Sequence, residues 1–338
     1  MRPTVLDRVS ERGKARFDVS LIRIGRALRV LFTDLIFEDK EKTRLDGCTF
    51  KFHGPTRSTE ELIELSRDVD VVCMRDQFAK VTREMIEQLP QLKMITTRST
   101  GYDHIDLEAA SEKGIVVCNV PDYGAHMVAE HAFGLMLAVA RNIVKGANRY
   151  AHDKIFSDKG LVGVELSGKT LGVLGTGRIG THAVKIGQGF GMNTVAYDLV
   201  RNPRLEQTRG VQYMSLEEVL QSADFVTIHL PLTEKTRGLI CERTLGLMKE
   251  SSILVNTSRG QIVATEDLIR ALRKGRPAGA GLDVLEDEHE KYHDFSGLNV
   301  IVTPHIGWHT RESISRILEI TLDNIRAFMR GQPTNQVN

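Results

Sequence analysis

The stretch Thr170-Leu-Gly-Val-Leu-Gly-Thr-Gly-Arg-Ile-Gly180 decides how this 338-residue chain folds. Its first residues form an apolar run typical of a buried strand, and a helical pattern follows from Arg178. Between them, Gly175, Gly177 and Gly180 have the spacing GxGxxG. After a strand and before a helix, these glycines permit a tight turn, close approach of the backbone to a pyrophosphate, and close packing of helix on strand.

A carboxylate at the end of the next strand supports the same interpretation. The predicted strand Thr194–Tyr197 ends at Asp198, 18 residues after Gly180, close to the spacing of about 20 residues expected for a ribose-binding acid. The amides of Arg178 and Ile179 open the helix, where the helix dipole favours a phosphate. Because a carboxylate binds both ribose hydroxyls and repels the extra phosphate of NADP, the pattern predicts NAD as the cofactor.

Strands alternate with helices on both sides of this turn, which predicts parallel sheets covered by helices. Apolar runs before the turn predict strands at Leu28–Thr33, Val69–Met74, Lys93–Thr97 and Ile115–Cys118. From the turn onwards, six strands are predicted, the number in a full dinucleotide-binding sheet: Thr170–Leu174, Thr194–Tyr197, Phe225–His229, Ile253–Asn256, Gly279–Leu282 and Val300–Thr303. A long apolar helix is predicted over Met127–Arg149, and a last helix over Glu312–Met329.

Composition narrows the class of protein. The chain is longer than one hydrophobic core usually serves, which predicts two domains. Since 45 basic residues nearly balance 44 acidic ones, no nucleic-acid or membrane-surface partner is expected. The four cysteines form no CxxC pair, so we expect a cytoplasmic protein with reduced thiols and no metal site. Residues 1–27 are expected to be a poorly ordered extension.

Seven separated motifs together resemble the D-isomer-specific 2-hydroxyacid dehydrogenases, and among them most nearly the D-lactate dehydrogenases. The resemblance covers roughly residues 28–338. Besides the Gly-rich turn, its motifs are Arg98-Ser-Thr-Gly-Tyr-Asp-His-Ile-Asp106, Val128-Ala-Glu-His131, His229-Leu-Pro-Leu232, Asn256-Thr-Ser-Arg-Gly260, Gly281-Leu-Asp-Val284 and Thr303-Pro-His-Ile-Gly307.

The family resemblance implies an α/β protein of two domains with parallel, doubly wound sheets. A Rossmann NAD-binding domain, residues 127–307, would be inserted in a flavodoxin-like substrate domain made of residues 28–126 and 308–338, with the active site in the cleft between them. It also implies that further residues contact NAD beside the glycine turn and Asp198. These are Leu230, Pro231, Thr236, Thr257, Ser258, Arg259 and Asp283, the last of which resembles the residue that binds the nicotinamide carboxamide.

Reduction of a 2-keto acid needs a cation for the carboxylate and a proton donor for the carbonyl oxygen. Arg259 follows a strand at the ligand-binding edge of the sheet and offers a planar guanidinium fork. His305 follows the last strand and titrates near neutral pH, which suits a proton donor. A carboxylate beside it would raise its pKa. The family spacing selects Glu288, with Glu286 and Glu290 as alternatives.

The substrate is expected to be a small 2-keto or 2-hydroxy acid, with pyruvate and D-lactate favoured. Backbone amides near Thr100 and Gly101 would hold its carboxylate, and Tyr123 and Trp308 resemble pocket aromatics of D-lactate dehydrogenases. A glyoxylate or hydroxypyruvate reductase and a short phosphoglycerate dehydrogenase remain alternatives. So does an NAD-sensing transcriptional corepressor, which also places a Trp after the His. A homodimer is expected from the family and from the apolar helix after Met127.

Overall fold

The computed structural model describes residues 26–33, 43–56, 58–75, 79–287 and 291–338, without the side chain of Thr208. The chain divides into two compact units, one from the residues up to Tyr123 together with Arg311–Asn338, the other from Gly124–Thr310. Residues 1–25 of the predicted extension lie outside the described residues. Its end is attached to the first unit, because the Arg26 guanidinium binds both carboxylate oxygens of Asp70 at 2.9 Å.

The first unit is built on a five-stranded parallel sheet with the order β2-β1-β3-β4-β5. This is the strand order of flavodoxin-like folds. The strands are β1 Leu28–Phe32, β2 Cys48–Phe52, β3 Val71–Met74, β4 Met94–Thr97 and β5 Val116–Cys118. The helices of this unit are α1 Thr59–Ser66, α2 Arg83–Gln88, α3 Leu107–Glu112 and the C-terminal α11 Arg311–Met329.

The second unit is built on a seven-stranded parallel sheet with the order β12-β11-β10-β9-β6-β7-β8. Read from β8, this is the Rossmann order with one further strand. The strands are β6 Thr170–Leu174, β7 Asn193–Tyr197, β8 Gln212–Tyr213, β9 Phe225–Ile228, β10 Ile253–Asn256, β11 Gly279–Leu282 and β12 Val300–Val302. The helices are α4 Ala125–Ala140, α5 Ile143–Asp153, α6 Arg178–Gly189, α7 Pro203–Arg209, α8 Leu216–Ser222, α9 Glu242–Leu245 and α10 Thr265–Arg273.

The central strands are apolar because helices cover both faces of each sheet. Strands β3, β4, β9, β10 and β11 are buried at every residue, as expected for parallel strands between two helical layers. Each unit has its own core: Phe32 and Phe328 are among the fully buried side chains of the first unit, and Phe225 is one in the second. The two-sheet α/β prediction is therefore confirmed.

Two short strands escaped the sequence analysis, and both lie at a sheet edge. The β2 residues alternate between half-buried and exposed, so this strand lacks the continuous apolar run of the buried strands. Strand β8 has two residues, too few for a recognisable pattern. The second sheet therefore has seven strands rather than the predicted six.

The long helix predicted over Met127–Arg149 is wrong as a single element. Asn142 has the left-handed φ of 52°, and it separates α4 from α5 at a bend of 64°. Helix α4 is largely buried, whereas α5 has no buried residue. In the described part of the chain, no single helix is long and apolar enough to cross a membrane. The bent pair α4 and α5 meets these two criteria only when the two helices are counted together.

Candidate active site

The Gly-rich turn gives each of its three glycines a different task. Gly175 has φ +95°, and an added Cβ there would lie 2.7 Å from the His229 carbonyl group. At Gly180 it would lie 1.9 Å from the Gly175 oxygen, because α6 packs directly on the turn. At Gly177, the N-cap of α6, it would meet no heavy atom within 4 Å. The backbone of Gly177 therefore has an open side, followed by the first residues of α6, Arg178 and Ile179, at the end of the helix where the dipole favours an anion.

Asp198 follows β7 and is tied to the same turn. Its Oδ2 accepts hydrogen bonds from the Thr176 amide at 2.6 Å and the Thr176 hydroxyl at 3.0 Å, and its Oδ1 accepts one from the Val200 amide at 3.2 Å. The Tyr213 hydroxyl, on β8, donates to the Thr176 hydroxyl at 2.8 Å. The carboxylate is half-buried, so the network fixes its position while part of it faces solvent.

The loop after β9 carries the predicted residues Leu230, Pro231 and Thr236. Leu230 is buried in the core beside β9. The Thr236 hydroxyl donates to the Pro231 carbonyl at 2.6 Å and accepts from the Thr233 amide at 2.8 Å, which braces the loop internally. His229 Nε2 lies 3.0 Å from the Thr227 hydroxyl. Burial lowers the pKa of His229 to about 3, so its imidazole is neutral.

The segment Thr257–Arg259 after β10 is held by one buried side chain, Asn256. The Asn256 amide nitrogen donates to the Arg259 carbonyl at 2.9 Å, and its oxygen accepts from the Ser258 amide at 3.0 Å and the Ser258 hydroxyl at 2.9 Å. The Arg259 guanidinium donates to the Ser258 carbonyl at 3.1 Å. The Thr257 hydroxyl is buried and has no hydrogen-bond partner among the described residues.

Asp283 follows β11, the strand beside β10, and His305 follows β12, the next strand in the sheet. The His305 amide donates to the Asp283 carbonyl at 2.8 Å. The indole nitrogen of Trp308 donates to the His305 carbonyl at 2.9 Å, so the half-buried Trp308 closes the turn that carries His305. Since parallel strands end at one edge of a sheet, Arg259, Asp283 and His305 lie along the same edge as the Gly-rich turn.

Of the three acidic residues predicted as partners of His305, the structure describes one, Glu286. Glu288 and Glu290 lie outside the described residues. Glu286 is described, and its carboxylate accepts a hydrogen bond from the amide of Thr265 at 3.2 Å. The Glu286 amide donates in return to the Thr265 hydroxyl at 3.4 Å. Glu286 therefore caps the start of α10, which gives this alternative a structural role.

In the first unit, the predicted substrate residues Thr100 and Gly101 follow β4. The Asn119 side chain donates to the Thr100 carbonyl at 2.8 Å, and the Thr100 hydroxyl donates to the Val120 carbonyl at 3.0 Å. The Ser99 hydroxyl donates to the Gly101 carbonyl at 2.6 Å. In all three hydrogen bonds the acceptor is a backbone carbonyl group, and together they fix the conformation of this loop.

Tyr123 is the last residue of the first unit before the chain enters the second. It is half-buried, and its carbonyl accepts a hydrogen bond from the Arg316 guanidinium at 2.5 Å. Arg316 lies on α11, so this bond joins the two chain segments from which the first unit is built.

Comparison with known proteins gives the family. A family model described as the NAD binding domain of D-isomer specific 2-hydroxyacid dehydrogenase matches residues 133–307. A glyoxylate reductase of Pyrococcus furiosus is 41% identical over 289 residues, which cover 82% of this chain and 85% of that protein. The chain belongs to the D-isomer specific 2-hydroxyacid dehydrogenase family. It is therefore an NAD-dependent oxidoreductase that acts on the CH–OH group of a small 2-hydroxy acid or on the matching 2-keto acid.

Two further similar proteins are named for substrates other than glyoxylate. A D-3-phosphoglycerate dehydrogenase of Methanocaldococcus jannaschii is 40% identical over 313 residues, which cover 92% of this chain and 59% of that protein. The crystal structure of a D-lactate dehydrogenase from Aquifex aeolicus, complexed with NAD and lactic acid, superposes with a TM-score of 0.82. Its sequence is 35% identical, and the match covers 90% of this chain and 96% of that one.

The residues at the sheet edge fit the family's cofactor. The open side of Gly177 leaves room for a pyrophosphate, and the unpartnered Thr257 hydroxyl offers a polar contact. Within the described ranges, no group of three or more metal-ligating side chains is found. Sequence reasoning missed the supporting side chains Asn119, Thr176 and Tyr213. Their position after or beside a strand end was the available signal, but nothing in the sequence shows which partner each one contacts.

Proposed function

We propose that this dehydrogenase reduces a short 2-keto acid with NADH and, in reverse, oxidises the D-2-hydroxy acid. The observation that carries the proposal is the order of Arg259, Asp283 and His305 on three adjacent strand ends, at the same sheet edge as the Gly-rich turn. The Arg259 guanidinium can bind the substrate carboxylate and the His305 imidazole can donate a proton. Asp283 holds the turn that carries His305.

In the proposed reaction, the Arg259 guanidinium binds the substrate carboxylate in a planar fork and polarises the neighbouring carbonyl group. Amides near Thr100 and Gly101 bind the same carboxylate. NADH supplies the hydride that reduces the keto carbon. His305, in its protonated form, donates a proton to the carbonyl oxygen, and Glu288 stabilises the imidazolium. Oxidation reverses each transfer.

Within this class, two observations favour different substrates. The glyoxylate reductase of Pyrococcus furiosus has the higher identity, which favours glyoxylate. The pair Tyr123 and Trp308 and the D-lactate dehydrogenase of known structure favour pyruvate, as the sequence analysis expected. Both substrates are small, and the bond from the Trp308 indole to the His305 carbonyl fixes a bulky ring next to the proposed proton donor. We therefore rank glyoxylate and pyruvate ahead of branched and aromatic keto acids.

The test is NADH oxidation over a panel of glyoxylate, pyruvate, hydroxypyruvate and phenylpyruvate, compared by kcat/KM because that ratio reports discrimination. We expect turnover of the small acids and a value for phenylpyruvate at least about tenfold lower. His305→Gln should lose most turnover with NADH affinity retained. A parent protein that binds NADH and reduces none of the four would contradict the proposal.

The acidic partner of His305 has its own test. If Glu288 stabilises the imidazolium, Glu288→Gln lowers the pKa that limits reduction at alkaline pH, and the limb of the pH profile moves to lower pH. Glu286→Gln is the matched control, because the Glu286 carboxylate caps α10. A shift in the control without a shift in Glu288→Gln would exchange the two assignments.

We also propose that the protein is a homodimer whose interface is α5 and the segment after it. No residue of α5 is buried, and Phe156 and Val162 are 94% and 92% exposed. The Tyr150 ring on α5 packs against the Phe156 ring, and both are exposed. Neighbouring apolar side chains that are this exposed are typical of an association site. Phe156→Asp should lower the molar mass measured by light scattering to that of one chain, while Tyr292→Asp, at an exposed position elsewhere, should not. A parent protein of one-chain mass would contradict the proposal.

A further inference from the structure

The turn that carries His305 is wrapped around one buried residue, Asp283. Three consecutive amides point at it: the His305 amide donates to the Asp283 carbonyl at 2.8 Å, the Ile306 amide to Oδ1 at 2.9 Å, and the Gly307 amide to Oδ2 at 2.8 Å. The Asp283 side chain is 2% exposed. Its position therefore sets the backbone of all three residues.

This backbone needs such support, because His305 has the left-handed φ of 53°. A residue with a Cβ carries a strain of roughly 1–2 kcal/mol in that region. Asn, Asp and His are several-fold enriched there among residues with a Cβ, but the conformation is uncommon for all of them. The conformation persists where surrounding contacts impose it, and in this turn those contacts are the three amide bonds to Asp283.

The side chain of His131, on α4, contacts the Asp283 carboxylate. His131 Nε2 lies 3.2 Å from Asp283 Oδ1 and 3.1 Å from the Thr303 hydroxyl, which itself donates to Oδ1 at 2.5 Å. Since the Thr303 proton is used on Asp283, Nε2 must carry a proton to bond either oxygen. The contact is close-packed, because a Cβ added at Gly307 would lie 2.8 Å from Asp283 Oδ2 and 3.2 Å from His131 Cδ2.

The carboxylate of Asp283 is ionised in this environment. Burial raises its pKa, but the hydrogen bonds from His131, Thr303, Gly307 and Ile306 together outweigh burial and leave the pKa below the ordinary value. A buried anion requires donors on every side. Two of the four donors belong to the catalytic turn, one belongs to β12's end, and His131 is the one supplied by a separate helix.

We propose that His131 is a positioning residue for the proton donor. It holds the Asp283 carboxylate in place, and through Asp283 it holds the left-handed backbone of His305. The part of the proposal that concerns turnover rests on the proposed function of His305. This gives a task to the motif Val128-Ala-Glu-His131, to which the reaction itself assigns none.

The test compares three substitutions on α4. His131→Leu keeps an apolar volume and removes the donor. His131→Gln keeps an N–H donor close to the position of Nε2. Glu130→Ala changes the exposed neighbouring residue and is the matched control. Amide hydrogen exchange of the peptide that contains Ile306 and Gly307 measures the turn directly, without turnover.

We expect exchange at Ile306 and Gly307 to be about tenfold faster in His131→Leu, since one bond to a buried charge is lost. kcat should fall by a similar factor, with a smaller change in KM for the keto acid. His131→Gln should restore both, and Glu130→Ala should match the parent. Rescue by Gln distinguishes a lost hydrogen bond from lost packing.

Each outcome decides the proposal. Parental exchange and parental kcat in His131→Leu would overturn it, as would equal losses in the Leu and Gln variants. If His131→Leu does not fold, His131→Asn replaces it, because its amide is too short to reach Asp283. A parent protein with no turnover would refute the proposed function, whereas the exchange measurement would still decide whether His131 holds the turn.

Discussion

Two glycines of the same turn, only three residues apart, should respond to one substitution in opposite ways. In Gly180→Ala, the new Cβ would lie 1.9 Å from the Gly175 oxygen, whereas ordinary contact begins near 3.4 Å. The helix must therefore move by about 1.5 Å from the turn. Both atoms are tied to the backbone, so no side-chain rotation can relieve the overlap. We expect a loss of about 3 kcal/mol in the free energy of unfolding, the upper end for overpacking.

Gly177→Ala should leave stability nearly unchanged, since the added Cβ meets nothing within 4 Å and Gly177 has an ordinary φ of −63°. If the backbone there contacts the pyrophosphate, the methyl group instead blocks the cofactor. We expect the Kd for NADH to rise at least about tenfold, which is about 1.4 kcal/mol.

Thermal denaturation followed by circular dichroism and NADH titration followed by fluorescence separate the two effects. Gly180→Ala should lower Tm by roughly 6–12 °C, at about 2–4 °C per kcal/mol for a unit of this size. Gly177→Ala should keep the parental Tm and lose affinity. Parental NADH affinity in Gly177→Ala would refute the assignment of this turn to the cofactor, and a parental Tm in Gly180→Ala would refute the packing argument.

Three further predictions follow from the same site. Arg259→Lys keeps the charge but loses the planar fork, so the KM for the keto acid should rise about tenfold or more with little change in NADH affinity; unchanged kinetics would remove Arg259 from the mechanism. If the Asp198 carboxylate binds the ribose diol and repels a phosphate, as the sequence predicts, Asp198→Ala should lower the ratio of kcat/KM with NADH to that with NADPH; a ratio that stays constant would contradict this role. The pKa of Asp283 is lowered in the folded state, so its stabilising effect is complete above the unfolded-state pKa of about 3.9 and is lost as pH falls through the lower folded-state value. Urea denaturation between about pH 5 and pH 2 should therefore show a smaller loss of unfolding free energy in Asp283→Asn than in the parent. Equal losses in the two proteins would contradict the stabilising role of the ionised Asp283.

Much of the fold could be predicted because buried parallel strands and GxGxxG glycines leave strong local patterns. Strands β6, β9, β10 and β11 are apolar runs bounded by polar residues, and all were predicted within a residue. Strands β2 and β8 were missed, because the β2 residues are half-buried or exposed and β8 has only two residues. The break at Asn142 was also missed, since an Asn inside a helical pattern does not reveal its left-handed φ.

The candidate site was less predictable than the fold. Arg259 and His305 could be chosen because each follows a predicted strand, carries suitable chemistry and lies in a motif that resembles the family's. The side chains that hold them, Asn256 and Asp283, act through bonds between residues far apart in the chain or to the backbone, which spacing does not reveal. For Asp283, the contact with the nicotinamide carboxamide stays a prediction, and the two amides of the His305 turn that its carboxylate accepts could not be predicted from spacing.

The most direct test of the central claim is the handedness of the product. Pyruvate is suited to this test because its reduction creates a chiral centre, and hydroxypyruvate serves equally. Reduction with NADH, followed by chiral chromatography of the product, should give the D enantiomer alone. The L enantiomer or a racemic product would contradict the account, as would a protein that binds NADH and reduces neither of these acids nor glyoxylate.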